Sequence, residues 1–302
     1  VSDQLTLVSE KLTQAARIRG VRHEMQAAGT VTRYWHYPAD RVDAPAVVFI
    51  HGYRGNHRGL EAIAGALVNL NIYIPDLPGF GESTPFSGEH TIELYSKWVG
   101  EFIRGLRLDA KPHLLGHSFG SIVVAKHAAE SDDFESLILE NPVSSPALKG
   151  PKAALTSVAK SFFWLAQAMP LKLGEGVLKS WPMVRGMSIV MTKSRNAELR
   201  SWVHAQHDAN FNDFANRRVA VEGYNASVSD CVSNYSAKFK TPVLVISGGK
   251  DDITSPSQQL EMISTITTPV THVDFAKVGH LTHYEVPGEV ALAIQNFISN
   301  QG

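Results

Sequence analysis

Short, uninterrupted apolar segments recur along the sequence: Val47-Val48-Phe49-Ile50, Asn71-Ile72-Tyr73-Ile74, His113-Leu114-Leu115, Leu137-Ile138-Leu139, Val243-Leu244-Val245-Ile246 and Val273-Asp274-Phe275. Such runs have little polar face to offer water, so they suit strands covered on both sides, as in a parallel sheet. The stretches around them, 58–69, 91–108, 119–130, 255–266 and 287–299, have helical character. Strand alternating with helix builds a doubly wound α/β sheet with helices on both faces. Two segments precede this pattern. Leu5, Val8, Leu12, Ala15 and Ile18 recur at helical spacing, and 21–37 carries Ala28-Gly29-Thr30 between two strand-like runs, as a hairpin would.

The alternation lapses once. From Val143 to Lys240 the sequence has helix-like pieces and prolines (Pro146, Pro151, Pro170, Pro182) but no run suited to a buried strand. Set between two core strands, this stretch reads as an inserted helical cap. The expected organisation is a first core part (1–142), the cap (143–240) and a second core part (241–302). A chain of 302 residues fits one such domain with an insertion better than two independent domains.

Composition excludes several function classes. A formal net charge of −1 gives no electrostatic reason to expect nucleic acid or an anionic membrane as partner. Apolar stretches are broken well short of the roughly 18 residues that a membrane-spanning helix needs. The single cysteine, Cys231, cannot form an internal disulfide, suits a reducing compartment and reads as buried and inert. The opening Val1-Ser2-Asp3-Gln4 is polar, with no basic segment leading into an apolar one, so a cytoplasmic location is expected. His204, His207 and Asp208 stand at near-helical spacing, but a third ligand at suitable spacing is lacking, and a polar cap face is the better reading. No metal and no cofactor are expected.

The chemistry concentrates in three loops. Gly116-His117-Ser118-Phe119-Gly120 follows one strand run and opens an apolar helix. A serine there sits on a turn so sharp that flanking side chains would collide, and the helix N-terminus aims free N–H groups at its hydroxyl. Ser118 is therefore the expected nucleophile. The strand 47–50 ends in His51-Gly52-Tyr53-Arg54-Gly55. Negative charge developing on a carbonyl oxygen needs preorganised donors, and the backbone amides of Tyr53 and Phe119 are the expected pair. Arg54 could bind an acidic substrate group, although a structural role is the more ordinary one for such an arginine.

After strand run 243–246 comes Gly248-Gly249-Lys250-Asp251-Asp252, and after 273–275 comes Gly279-His280-Leu281-Thr282-His283. His280 would take the proton of Ser118, and Asp251 would hold the other ring nitrogen. Asp252 competes with Asp251, and His283 with His280. The spacing from Gly248 favours Asp251, with Asp252 capping the next turn. Gly279 favours His280, with His283 in a structural hydrogen bond on the following helical turn. Glu140, after the strand run 137–139, is a third candidate for the acid.

Together with the run Asp76-Leu77-Pro78-Gly79-Phe80-Gly81-Glu82-Ser83, these motifs resemble the α/β-hydrolase superfamily, whose members order the three residues Ser, Asp, His. The 76–83 glycines lack the lysine and spacing of a phosphate-binding loop. The resemblance implies an eight-stranded, mostly parallel sheet with a lid after the sixth strand, and a place in the capped group of esterases, carbon–carbon bond hydrolases, epoxide hydrolases and haloalkane dehalogenases. The last two use aspartate where this chain has Ser118, which argues against both chemistries.

Phe162-Phe163-Trp164-Leu165, Met169, Trp181, Met183, Met187, Ile189 and Met191 make the cap greasy, so a small-molecule substrate with an apolar part is expected. Many of these residues must also build the cap's own core. The leading expectation is an ester hydrolase working through an acyl-enzyme. Alternatives are a C–C hydrolase of diketone acids, with Arg54 or Arg195 on the carboxylate, and a non-catalytic ligand-binding protein of the same fold. Oligomeric state is not legible.

Overall fold

The computed structural model describes residues 2–41, 43–146 and 153–301; side chains of 2–7 and 153–159 are outside it, so Leu5 and Pro151 from the patterns above are outside the described residues. Eight strands form one sheet: β1 (Val21–Ala27), β2 (Thr30–Tyr37), β3 (Ala46–Ile50), β4 (Asn71–Pro75), β5 (His113–His117), β6 (Leu137–Glu140), β7 (Val243–Gly248) and β8 (Val270–Phe275). Their order is β1-β2-β4-β3-β5-β6-β7-β8. β1 and β2 form an antiparallel hairpin, β2 pairs antiparallel with β4, and every later pairing is parallel. Ala28 and Gly29 both take positive φ at the hairpin turn.

Successive residues of a strand face opposite sides, so each apolar run feeds two cores. In β3, Val48 and Ile50 join the core shared with α3 (Ile92–Leu106) and α4 (Phe119–Glu130). Val47 and Phe49 join the core on the other face, with α2 (Glu61–Ala66) and α12 (Pro287–Ser299). The central strands β5, β6 and β7 are buried at every position. β8 departs from the expectation of burial on both faces, since Thr271, His272 and Asp274 are exposed. It ends the sheet, and an edge strand with polar side chains is poorly suited to pairing with another chain.

The first helix, α1 (Ser2–Arg19), turns a face to the protein other than the apolar positions suggest. Ile18 is 82% exposed and Val8 43%, whereas Ser9, Thr13 and Ala16 are buried. The cause is close backbone approach to α2: a Cβ on Gly65 would lie 1.9 Å from the Leu12 carbonyl oxygen. Only small side chains fit such a contact. Ser9 Oγ donates to the Tyr284 carbonyl oxygen at 3.1 Å and Thr13 Oγ1 to that of Ser9 at 2.9 Å, which satisfies the buried hydroxyls.

Between β6 and β7 the chain runs through α5 (Ala153–Ala168), α6 (Leu171–Leu178), α7 (Trp181–Met191), α8 (Ala197–Asn210) and α9 (Arg217–Ser229). α5, α6 and α9 pack together, while α7 packs on α8 and α8 also reaches α1. α10 (Pro256–Ser264) follows β7, and α11 (Thr282–Glu285) is one turn just before α12. Among the described residues no helix is long and apolar enough to cross a membrane.

Candidate active site

Ser118 sits between β5 and α4 with φ 51° and ψ −118°, a backbone conformation that side-chain-bearing residues rarely adopt. Sequence makes the turn possible at two glycines. A Cβ on Gly116 would lie 2.5 Å from the Gly120 carbonyl oxygen, and one on Gly120 would lie 2.3 Å from that of Ile50. The turn is held by the Ser118 amide, which donates to the Glu140 carbonyl oxygen at 3.1 Å.

Three loops meet here. His280 Nε2 is 2.8 Å from Ser118 Oγ, and His280 Nδ1 is 2.8 Å from Asp251 Oδ2. Asp251 also accepts from the amides of Ile253 at 2.7 Å and Thr254 at 3.3 Å, and from Asn141 Nδ2 at 3.1 Å. A carboxylate so surrounded has one open direction, toward the imidazole. The other candidates are placed elsewhere. Asp252 pairs with Lys193, and Glu140 accepts from Thr282 Oγ1 at 2.6 Å. His283 lies on the α11 turn, but instead of the expected structural hydrogen bond its Nδ1 stands 3.6 Å from Glu140 Oε1.

Tyr53 lines the same cavity as Ser118 and Phe119 follows the serine directly, and the N–H of neither donates a backbone hydrogen bond among the described residues. His51 fixes the loop that carries Tyr53. The Leu77 amide donates to His51 Nε2 at 2.9 Å, so the ring proton must be on Nδ1, which donates to the Gly52 carbonyl oxygen at 2.8 Å. The cavity in front of Ser118 has a volume of about 70 Å³ and is lined in part by Leu60, His207, Asn210, Phe211, Leu281 and Tyr284. A larger, open depression of about 410 Å³ lies between α3 and α4, away from all of these groups.

Residues 45–287 match the family model described as the alpha/beta hydrolase fold. The chain belongs to that family. Curated relatives of this α/β-hydrolase include Lipase 1 of Psychrobacter immobilis, 26% identical over 81% of this chain and 74% of that lipase, and Lipase 3 of Moraxella sp. (strain TA144), 24% identical over 83% and 76%. Similar solved structures include an esterase from Exiguobacterium antarcticum (TM-score 0.75, 17% identity, covering 92% of this chain and 100% of that one). A thermophilic esterase from Thermogutta terrifontis has TM-score 0.74 at 20% identity, covering 93% and 99%.

In this α/β-hydrolase the 76–83 run is a braced turn. Asp76 Oδ1 accepts from the His57 amide at 2.7 Å and from His57 Nδ1 at 2.9 Å, and Asp76 Oδ2 accepts from the Glu82 amide at 2.8 Å. Burial pushes this carboxyl up, but His57 and the hydrogen bonds outweigh it and hold the group below its ordinary range. The turn is sewn to the inserted helices through Gly81 N to Asp213 O at 2.7 Å and Ala215 N to Gly79 O at 2.8 Å.

Arg54 is wholly buried and pairs with no carboxylate among the described residues. It donates to the Phe211 carbonyl oxygen at 2.9 Å, the Leu178 carbonyl oxygen at 3.0 Å, Asn212 Oδ1 at 2.6 Å and Met183 Sδ at 3.2 Å. Leu178 ends α6 and Phe211 caps α8, so two helix C-termini supply the negative potential that a buried guanidinium needs. His204 Nδ1 and His207 Nδ1 both meet Ser188 Oγ, at 2.5 and 2.7 Å, and Asp208 pairs with Arg185. A different set of side chains, His117, Glu140 and His283, has the donor atoms to hold a metal ion.

Buried histidines make this molecule sensitive to acid. Burial lowers His51 to about 4, and His207 and His283 to about 3. An unfolded histidine takes its proton near pH ~6.5. The folded values are depressed, so stability present above that pH is lost as the pH falls toward 4. Each such histidine costs up to ~1.4 kcal/mol per pH unit in that window. Urea unfolding at pH 7 and pH 5 should therefore show a loss of several (roughly 4–6) kcal/mol at the lower pH. Equal midpoints at the two pH values would contradict this.

Proposed function

We propose that the chain hydrolyses carboxylic esters with a short, apolar acyl part, with Ser118 as nucleophile, His280 as proton carrier and Asp251 as the acid behind it. The supporting observation is the unbroken hydrogen-bonded line from Ser118 Oγ through His280 to Asp251 beside a small cavity. Ser118 Oγ bonds to the ester carbonyl carbon while its proton passes to His280 Nε2. The oxygen that becomes negative is met by the Tyr53 and Phe119 amides. Collapse expels the alkoxide, which takes the proton from His280, leaving an acyl-enzyme. Water then gives its proton to His280 and attacks the acyl carbon, releasing the acid and restoring Ser118.

The five inserted helices act as a cap over this site in our reading. Residues 211–215 and Arg54 anchor them to the loops that carry Tyr53 and Phe80. With the cap so placed, a cavity of about 70 Å³ suits a short acyl chain. A series of p-nitrophenyl esters should show kcat/KM highest for two- to four-carbon acyl chains and at least about tenfold lower for ten-carbon chains. A preference for the longest chains would overturn the short-acyl reading.

Two features weigh against C–C hydrolysis of a diketone acid. Arg54 is occupied by four neutral acceptors, and Arg195 is exposed. Among the described residues no lysine or arginine lines the cavity, so a substrate carboxylate would be buried without a cation.

A further inference from the structure

Three buried polar atoms beside the candidate active site have no hydrogen-bond partner among the described residues: His117 Nδ1, Glu140 Oε2 and His283 Nδ1. They face one another. His117 Nδ1 is 3.6 Å from Glu140 Oε2, His283 Nδ1 is 3.6 Å from Glu140 Oε1, and ligand atoms of all three residues fall within 4.8 Å of each other. A separation of 3.6 Å is too long for a hydrogen bond. We propose that His117, Glu140 and His283 bind one divalent transition-metal ion, with zinc the best fit.

Two imidazoles and a carboxylate are a donor set that zinc takes, leaving a fourth position for water or another oxygen. With bonds of ~2.0–2.1 Å, neighbouring ligand atoms in a tetrahedral shell lie about 3.3 Å apart. The two histidine–carboxylate spacings of 3.6 Å need to close by a few tenths of an ångström, and the widest pair, within 4.8 Å, by up to about 1.5 Å. Each imidazole presents an unpartnered Nδ1 to the same carboxylate. The hydrogen bond from Thr282 Oγ1 to Glu140 Oε1, 2.6 Å long, orients the carboxylate as metal-bound carboxylates commonly are oriented. His117 and His283 also line the cavity, which gives an ion a way in.

Such an ion would tie together the end of β5, the end of β6 and the α11 turn. These are the segments next to Ser118, Asn141 and His280. Binding to the folded chain would therefore raise its melting temperature. The site does not depend on the hydrolytic reading, and Ser118→Ala is expected to bind metal as the wild type does.

The test uses tag-free protein stripped with a chelator, reloaded with zinc and desalted. Wild type should retain about one equivalent and melt ~3 °C or more above the stripped form. Cobalt(II) loaded in its place should give the intense visible absorption of a four-coordinate ion. Glu140→Gln and His283→Asn, checked for folding by circular dichroism, should each lose both signals. His204→Asn, altered at a histidine bonded to Ser188, should keep them. Folded wild type that retains no zinc or cobalt overturns the proposal without recourse to any variant, and would leave a trapped water as the group between these atoms. Undiminished retention in either folded site variant overturns it as well.

Discussion

Replacing Ser118 with alanine is expected to lower kcat for a short-chain ester by roughly 10⁵- to 10⁶-fold, with KM changed by no more than a few-fold. In the proposed mechanism the hydroxyl forms the covalent bond, and among the described residues nothing else in the cavity lining offers a comparable nucleophile in contact with the His280 ring. The loss would fall short of the whole rate enhancement, because the Tyr53 and Phe119 amides would remain to polarise the carbonyl. Alanine keeps the backbone at φ 51°, so the melting temperature should move little. Burst kinetics check the same step in the wild type. A variant retaining a tenth of wild-type turnover would show that another group carries the reaction.

The second large effect separates two adjacent carboxylates. Asp251→Asn should lower kcat by about 10⁴-fold, while Asp252→Asn should stay within a few-fold of wild type. In the proposed mechanism Asp251, bonded to His280 Nδ1, fixes which ring nitrogen bears the proton, and its charge steadies the imidazolium that would form as Ser118 is deprotonated. An amide at 251 could present its own N–H to His280 Nδ1, leaving the proton on the nitrogen that must accept from the serine. Asp252 faces Lys193 near the surface and touches neither ring nitrogen. Equal losses in the two variants would remove the distinction.

The fold and the meeting of the three loops were legible because each rests on a local pattern. Gly116 and Gly120 mark a turn packed so closely that an added Cβ would lie 2.3–2.5 Å from a neighbouring backbone carbonyl oxygen. The apolar runs mark strands that need cover on both faces. What could not be read is what depends on neighbours distant in sequence. The exposed Ile18 and the buried Ser9 of α1 follow from the approach to Gly65, which no helical periodicity encodes. The polar exposure of β8 follows from its place at the sheet edge.

Site residues beyond the three loops were hidden for the same reason. Asn141 carries no local mark of its part, yet its amide supports Asp251 across 110 positions of sequence. His117 sat in full view inside the Gly116–Gly120 motif. Its relation to Glu140 and His283 appears only when β5, β6 and α11 are assembled. Arg54 could be weighed as a structural cation, but the helix ends that neutralise it lie more than a hundred residues away.

The most direct measurement is the mass of the protein after reaction with a fluorophosphonate, followed by peptide mapping. Hydrogen bonding to His280 should make Ser118 react at once and at one position, with the adduct absent from Ser118→Ala and formed far more slowly in His280→Ala. Folded wild type that stays unlabelled, or carries the phosphonyl group on some other residue, would contradict Ser118 as the nucleophile.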